Sequence, residues 1–344
     1  MMLKRLIQIS LVMTFCVILL GAYTRLADAG LGCPDWPGCY GQLDVPTTES
    51  ELNQAQVLYP DLVVEADKAW LEMIHRYFAG SLGLLVFAIT VVALKQKQLG
   101  VVLPLSISLV VLFQALLGMW TVTMKLMPVV VMGHLLGGFT LFCLLALTYW
   151  RVTERKLLQS QNIGRGLRVV ALLAVVVLIT QIALGGWTSS NYAALMCTEL
   201  PICQGEWSRY LDFENAFRLI QPVQESYEFG TLDYGARMTI HVSHRIGAMI
   251  ITLVLLALIV GLWRQNITQY RLQAISLSML LFVQISLGIS NVSFGLPLAI
   301  AVAHNLVAAL LLINTLYINY LFLRAGSFNA CSHSQSLGKE AFYE

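Results

Sequence analysis

A polytopic, all-α membrane protein is the fold class predicted here: eight transmembrane helices as two pseudo-symmetric four-helix bundles, both termini cytoplasmic. Three observations predict it. Of the 344 residues, 58% are hydrophobic and only 12% charged, about half the charge of a soluble domain. The apolar residues gather into runs of about 20, the length that crosses a bilayer core. The runs then fall into two sets of four with matched landmarks, the mark of an internal repeat. A net charge of +2 makes no case for nucleic acid, and neither a P-loop nor a G-x-G-x-x-G motif is present.

Hydropathy places the spans at 5–24, 71–94, 101–124, 128–150, 168–188, 236–263, 271–292 and 297–323. Lys4-Arg5 gives the first run the look of a signal peptide. No A-x-A-type cleavage site follows it, so it is read as a retained span. Residues 1–150 form the N-terminal half, 151–167 a basic linker, 168–325 the C-terminal half and 326–344 a cytoplasmic tail.

Orientation follows from basic residues, which stay on the cytoplasmic side. Lys4, Arg5, Lys95, Lys97, Arg151, Arg155, Lys156, Arg165, Arg168, Arg264, Arg271, Arg324 and Lys339 fall on one side. These are 13 of the 21 basic residues, beside three acids, Glu154, Glu340 and Glu344. That side is read as cytoplasmic. The long loops 25–70 and 189–235 then face outward, with 211–230 read as a peripheral loop helix.

The repeat is legible residue by residue. Leu20-Gly21-Ala22-Tyr23-Thr24 matches Leu184-Gly185-Gly186-Trp187-Thr188. Cys33 and Cys197 follow those threonines by nine residues, and Cys39 and Cys203 come six later. His75-Arg76 matches His244-Arg245. Gln114-x-x-Leu117-Gly118 matches Gln284-x-x-Leu287-Gly288, with His134 and His304 each 20 residues past the glutamine. Four spans per half make the copies parallel, related by an axis near the membrane normal.

Ionisable groups inside a span are costly and usually functional. His75, His134, His244 and His304 all lie within roughly the outer 5–15 Å of the membrane at 1.5 Å per residue. A lone intramembrane histidine is commonly a hydrogen-bond partner between helices. Four at one depth, two per half, suit axial ligation of haem iron. Arg25, Arg76 and Arg245 stand near the outer boundary as candidates for haem propionates. Gly80, Gly133, Gly137, Gly138 and Gly247 would leave room for a flat macrocycle. Zinc or copper fits less well, since no carboxylate or cysteine cluster completes a cage. His241 lacks a histidine counterpart and is read as supporting or structural; His333 is read as inert.

Cys33/Cys39 and Cys197/Cys203 are read as disulfides in an oxidising compartment. They either staple the loops or exchange electrons. Cys16 and Cys143 read as packing residues, Cys331 as a lone tail thiol, and Trp36 as an interfacial aromatic. Gln114, Gln181 and Gln284 read as bridges between helices, and Lys125 as solvated in a short hairpin.

These residues together resemble the heme A synthase family. The resemblance rests on Thr24-Arg25-Leu26, Gly30-Leu31-Gly32-Cys33-Pro34-Asp35-Trp36-Pro37-Gly38-Cys39, Glu72-Met73-Ile74-His75-Arg76, the Gln114 and Gly118 pattern, His134, His244-Arg245 and His304. It covers nearly the whole chain. It implies an oxidoreductase that converts haem O to haem A by oxidising a ring methyl to a formyl group, with oxygen from water. It also implies resident haem b held by His244 and His304. His75 and His134 would flank the haem O site, with Glu72 beside it. Glu72 then either takes a proton and orients water, or fixes the His75 ring. The resemblance further implies a bacterial cytoplasmic membrane, periplasmic loops, and haem O synthase and terminal oxidase assembly factors as partners. The competing readings are a di-haem electron-transfer cytochrome, a quinone-linked thiol oxidase and a transporter.

Overall fold

The computed structural model describes residues 2–97, 99–153, 163–200 and 203–340, with side chains through Ala325. Eight of its helices are long and apolar enough to cross a membrane. The long helices are α1 (Met2–Leu26), α3 (Ala66–Gln96), α4 (Val102–Thr123), α5 (Pro128–Thr153), α6 (Arg165–Ser190), α8 (Tyr234–Trp263), α9 (Thr268–Ser293) and α10 (Leu298–Glu340). Two short ones, α2 (Glu49–Leu58) and α7 (Phe213–Ala216), lie in the long loops. Among the described residues the only strand-like feature is an isolated bridge between Cys39 and Gln42.

Every predicted span coincides with one of the eight. One expectation is corrected. Residues 211–230 hold only the one-turn α7 rather than a peripheral helix, because Gly230 (φ 80°) and Pro222 interrupt a stretch without apolar periodicity. The backbone of α10 continues to Glu340. Glu154, Arg155 and Lys156 of the expected linker lie outside the described residues, as do the side chains of Cys331, His333, Lys339 and Glu340, and Glu344.

Helix ends facing the long loops stop in the same way. Asp28 (φ 49°) and Tyr192 (φ 52°) take the left-handed conformation. Just after them, Ala29 N donates to Thr24 O and Ala193 N to Thr188 O, each at 2.9 Å. These are closures of the Schellman kind. The tight α4–α5 and α9–α10 turns use paired left-handed residues, Lys125 with Leu126 and Gly295 with Leu296. Lys125 is half-buried there, its carbonyl accepting from Tyr227 N at 3.0 Å. Pro128 opens α5, where its missing N–H costs nothing.

In the first half α1 packs on α3 and α5, and α4 packs on α3 and α5. In the second half α6 packs on α8 and α10, and α9 packs on α8 and α10. The halves meet through α5 on α6, α1 on α10 and α5 on α10. One apolar cluster runs across that junction, with Ile18, Phe139 and Phe142 packed among residues of α6, α8, α9 and α10. Buried and half-buried polar residues add bonds between helices, such as Thr90 Oγ1 to Pro104 O at 2.9 Å and Asn319 Nδ2 to Ala171 O at 2.9 Å.

Candidate functional site

Each of the four repeat histidines rests against a glycine of the adjoining helix. A Cβ added to Gly21 would lie 2.8 Å from the His75 ring, at Gly118 3.4 Å from His134, at Gly185 3.1 Å from His244, and at Gly288 3.2 Å from His304. The repeated Leu-Gly landmarks are therefore seats for imidazoles. A side chain would collide with the ring at Gly21, press on it at Gly185 and Gly288, and reach it in ordinary contact at Gly118. All four rings are half-buried, whereas His241 is buried, its Nδ1 2.8 Å from Ala193 O.

His75 and His134 approach edge to face, ring centres 6.4 Å apart at 87°. Two imidazoles sharing one metal, each about 2 Å away and roughly 1 Å from nitrogen to ring centre, lie about 6 Å apart. The donor set and the spacing both fit axial haem ligation. Among the described residues no three His, Cys, Asp or Glu side chains converge on a point.

The glycines expected to admit a macrocycle are mostly used otherwise. A Cβ at Gly137 would strike the Gln114 amide, and one at Gly247 the Gln181 amide. Gly138 and Gly133 are in ordinary contact with Gln114 and Leu117, and only Gly80 faces open space. The glutamines thus lie beside the histidines. Gln181 Nε2 is 3.0 Å from His244 Nδ1 and donates to His244 O at 2.9 Å, and Gln284 Nε2 is 3.3 Å from His304 Nε2.

Glu72 is buried but does not bond His75. Its Oε2 accepts from Cys33 N at 2.9 Å and its Oε1 pairs with Arg76 at 2.5 Å. Arg76 also donates to the carbonyls of Pro37 and Gly38, at 3.2 and 2.5 Å. Cys33–Cys39 is a disulfide, so the His75-Arg76 pair puts its imidazole into the bundle and its guanidinium onto a cross-linked loop. Arg245 does the same for the second disulfide, Cys197–Cys203. It donates to Cys197 O at 2.5 Å, to Glu199 O at 2.7 Å and to Cys197 Sγ at 3.1 Å. Arg25 joins the halves: it donates to Tyr192 Oη at 2.7 Å and Ser189 O at 3.1 Å, and lies over the Tyr192 ring. All three arginines proposed for propionates are thus engaged by protein groups, although the Nε atoms of Arg25 and Arg245 remain buried without a partner. Cys16 and Cys143 are unpaired and half-buried, and Trp36 is 40% exposed.

The glycine seats and the loop clamps were missed from the sequence. Their signal was present in the repeat, since Leu-Gly and His-Arg are the motifs that recur.

Eight described helices long and apolar enough to cross a membrane, with four half-buried imidazoles seated against glycines, define the class by its fold: an all-helical, polytopic membrane protein. Residues 4–316 match the family described as cytochrome oxidase assembly protein, and the chain belongs to that family. It is 56% identical over 327 residues to the Heme A synthase of Shewanella oneidensis, covering 95% of this chain and 98% of that protein. It is 25% identical over 325 residues to the Heme A synthase of Caulobacter vibrioides, covering 87% and 90%.

Proposed function

We propose that the protein is an oxidoreductase of a bacterial cytoplasmic membrane that makes haem A from haem O for terminal oxidases. The observation that carries the reading is the His75–His134 pair at 6.4 Å, seated on glycines, in a chain of this family. Residues 1–150 and 168–325 are two copies of one unit, the matched helix contacts and helix ends supporting the duplication. Both termini are cytoplasmic and both disulfide loops periplasmic. His244 and His304 hold resident haem b; His75 and His134 flank haem O.

Bound haem supplies a redox-active iron and a ring able to delocalise charge. The net change on the substrate is CH₃ plus water to CHO, with four protons and four electrons removed. The electrons pass to an acceptor outside this chain, and partner proteins are those that supply haem O and receive haem A. The chain's own residues bind, orient and exclude water. The glycine seats fix the imidazoles at a constant level. Glu72 acts beside the substrate pair. Its two oxygens are already held by Arg76 and the Cys33 amide, which favours positioning of the first loop and of water over service as a free base.

Pigment extraction from the purified protein tests the reading. Haem b together with haem O or haem A supports it. Two equivalent, non-exchanging haems would instead indicate an electron-transfer cytochrome, and a colourless protein a thiol oxidase. Glu72→Gln should keep the resident haem and lower conversion of haem O; unchanged turnover removes Glu72 from the mechanism.

A further inference from the structure

We propose that Gln181 is the positioning residue that makes the C-terminal histidine pair retain its haem, and that Val17 in the equivalent place leaves His75 as the ligand that releases. The inference rests on the haem reading above and adds what distinguishes the two halves.

Four residues before each seat glycine, one helical turn away on the same face, stand Val17, Gln114, Gln181 and Gln284. In the C-terminal half both histidines have amide neighbours: Gln181 touches His244 at Nδ1 and at its carbonyl, and Gln284 touches His304. In the N-terminal half neither does. Nδ1 is buried without a partner in His75, His134 and His304 alike, and the Gln114 amide nitrogen is itself buried and unbonded, so His244 is the one ring of the four whose Nδ1 meets an amide.

The divergence is built on both helices. Gly247, three residues after His244, is what lets the Gln181 amide reach, because a Cβ there would collide with it. The position three after His75 is Phe78. Val17 and Phe78 thus stand where Gln181 and Gly247 stand, and both changes remove the amide.

Contact with both the ring and the backbone of one residue opposes rotation of that ring. With Nε2 committed to a metal, Nδ1 carries the proton. A half-turn of the amide exchanges the bond to the His244 carbonyl for one in which Gln181 Oε1, buried and without another partner, accepts from that Nδ1–H. Hydrogen-bond partners of a metal-bound histidine are worth about 10–100-fold in affinity. A site with such partners keeps its metal group; a site without them exchanges it.

The test is haem loss from the purified holoprotein to excess apo-globin, followed by absorbance. Gln181→Val and the size-matched Gln181→Met should both speed loss about 10–100-fold, with unchanged elution on size exclusion. Val17→Gln combined with Phe78→Gly should slow exchange at the N-terminal pair. Wild-type loss rates in Gln181→Met would show that packing alone suffices and would overturn the proposal, as would unchanged loss in Gln181→Val should Gln181→Met not fold. If wild-type protein lacks a low-spin haem spectrum that His244→Ala removes, the haem reading itself fails, which is a separate result.

Discussion

At the scale of single residues, the site depends on which atoms a glycine leaves out. His244→Ala or His304→Ala should each abolish the low-spin spectrum of the resident haem; a spectrum that survives both substitutions rules out this pair. Gly185→Val is the sharper test, because it leaves every proposed ligand in place. Its Cβ would sit 3.1 Å from the His244 ring and its branches would press further. Haem content should fall while the helical circular dichroism stays that of the wild type. Full haem occupancy in Gly185→Val would mean that the ring does not need its seat. The four histidines were legible because a polar ring in an apolar run stands out. Their seats were not, since hydropathy reports that a helix is buried in lipid or protein but not which neighbour its glycines face. Glu72 illustrates the same limit. His75 and Arg76 lie three and four residues beyond it, on one helical face, and sequence alone does not choose between them. The structure pairs the carboxylate with the guanidinium, the charge-assisted partner with the larger gain away from water.

At the scale of elements, the outer loops are held by arginines about three turns into α3 and α8. Arg76 and Arg245 make equivalent bonds to loop carbonyls, but only Arg76 also neutralises a buried acid. Removing one partner of a buried ion pair costs about 3–5 kcal/mol because the other charge is left alone. Arg76→Ala should therefore lower the unfolding temperature more than Arg245→Ala; equal losses would mean that the Glu72 pair adds nothing beyond the loop bonds. Helix α2 was invisible to a hydropathy reading because it does not span. Its start is nonetheless written in Thr48 and Glu51, a capping box in which each side chain bonds the other's backbone. Those bonds, led by the Thr48 amide, hold the Glu51 carboxyl at about 2, below its ordinary 4.5. A depressed acid stabilises the folded state above its unfolded value and loses that contribution as pH falls. The protection factors of α2 amides, in which the intrinsic pH dependence of exchange is divided out, should fall relative to those of the other loop segments between pH 4.5 and about 2. A flat profile across that window would detach Glu51 from the cap.

At the scale of the whole molecule, both halves must present their histidines at one level, and orientation in the membrane decides which compartment that level faces. Lys4, Arg5, Lys95, Lys97, Arg151, Arg165, Arg168, Arg264 and Arg271 lie at the ends of α1, α3, α5, α6, α8 and α9 away from the disulfide loops, whereas the basic residues of the loop side, Arg76 and Arg245 among them, stand beside most of the acids. Basic residues are retained on the cytoplasmic side, and disulfides persist where the medium oxidises. For the topology proposed above, two independent forces, one acting at insertion and one afterwards, act in the same direction. The long loops also carry the contacts that tie one half to the other: Arg25 at the end of α1 reaches Tyr192 and Ser189 at the end of α6. Placing those loops in the periplasm puts the junction, both clamps and all four glycine seats toward the outer leaflet. Reporter fusions after Lys97 and after Arg264 should then be active with a cytoplasmic reporter and silent with a periplasmic one, and a fusion within 211–230 should do the reverse. Intact cells treated with a membrane-impermeant thiol reagent after mild reduction should label Cys203, the half-buried member of its disulfide. Cytoplasmic activity from the 211–230 fusion, or labelling only after the cells are broken, would invert the molecule and place the haem pairs beside the wrong compartment.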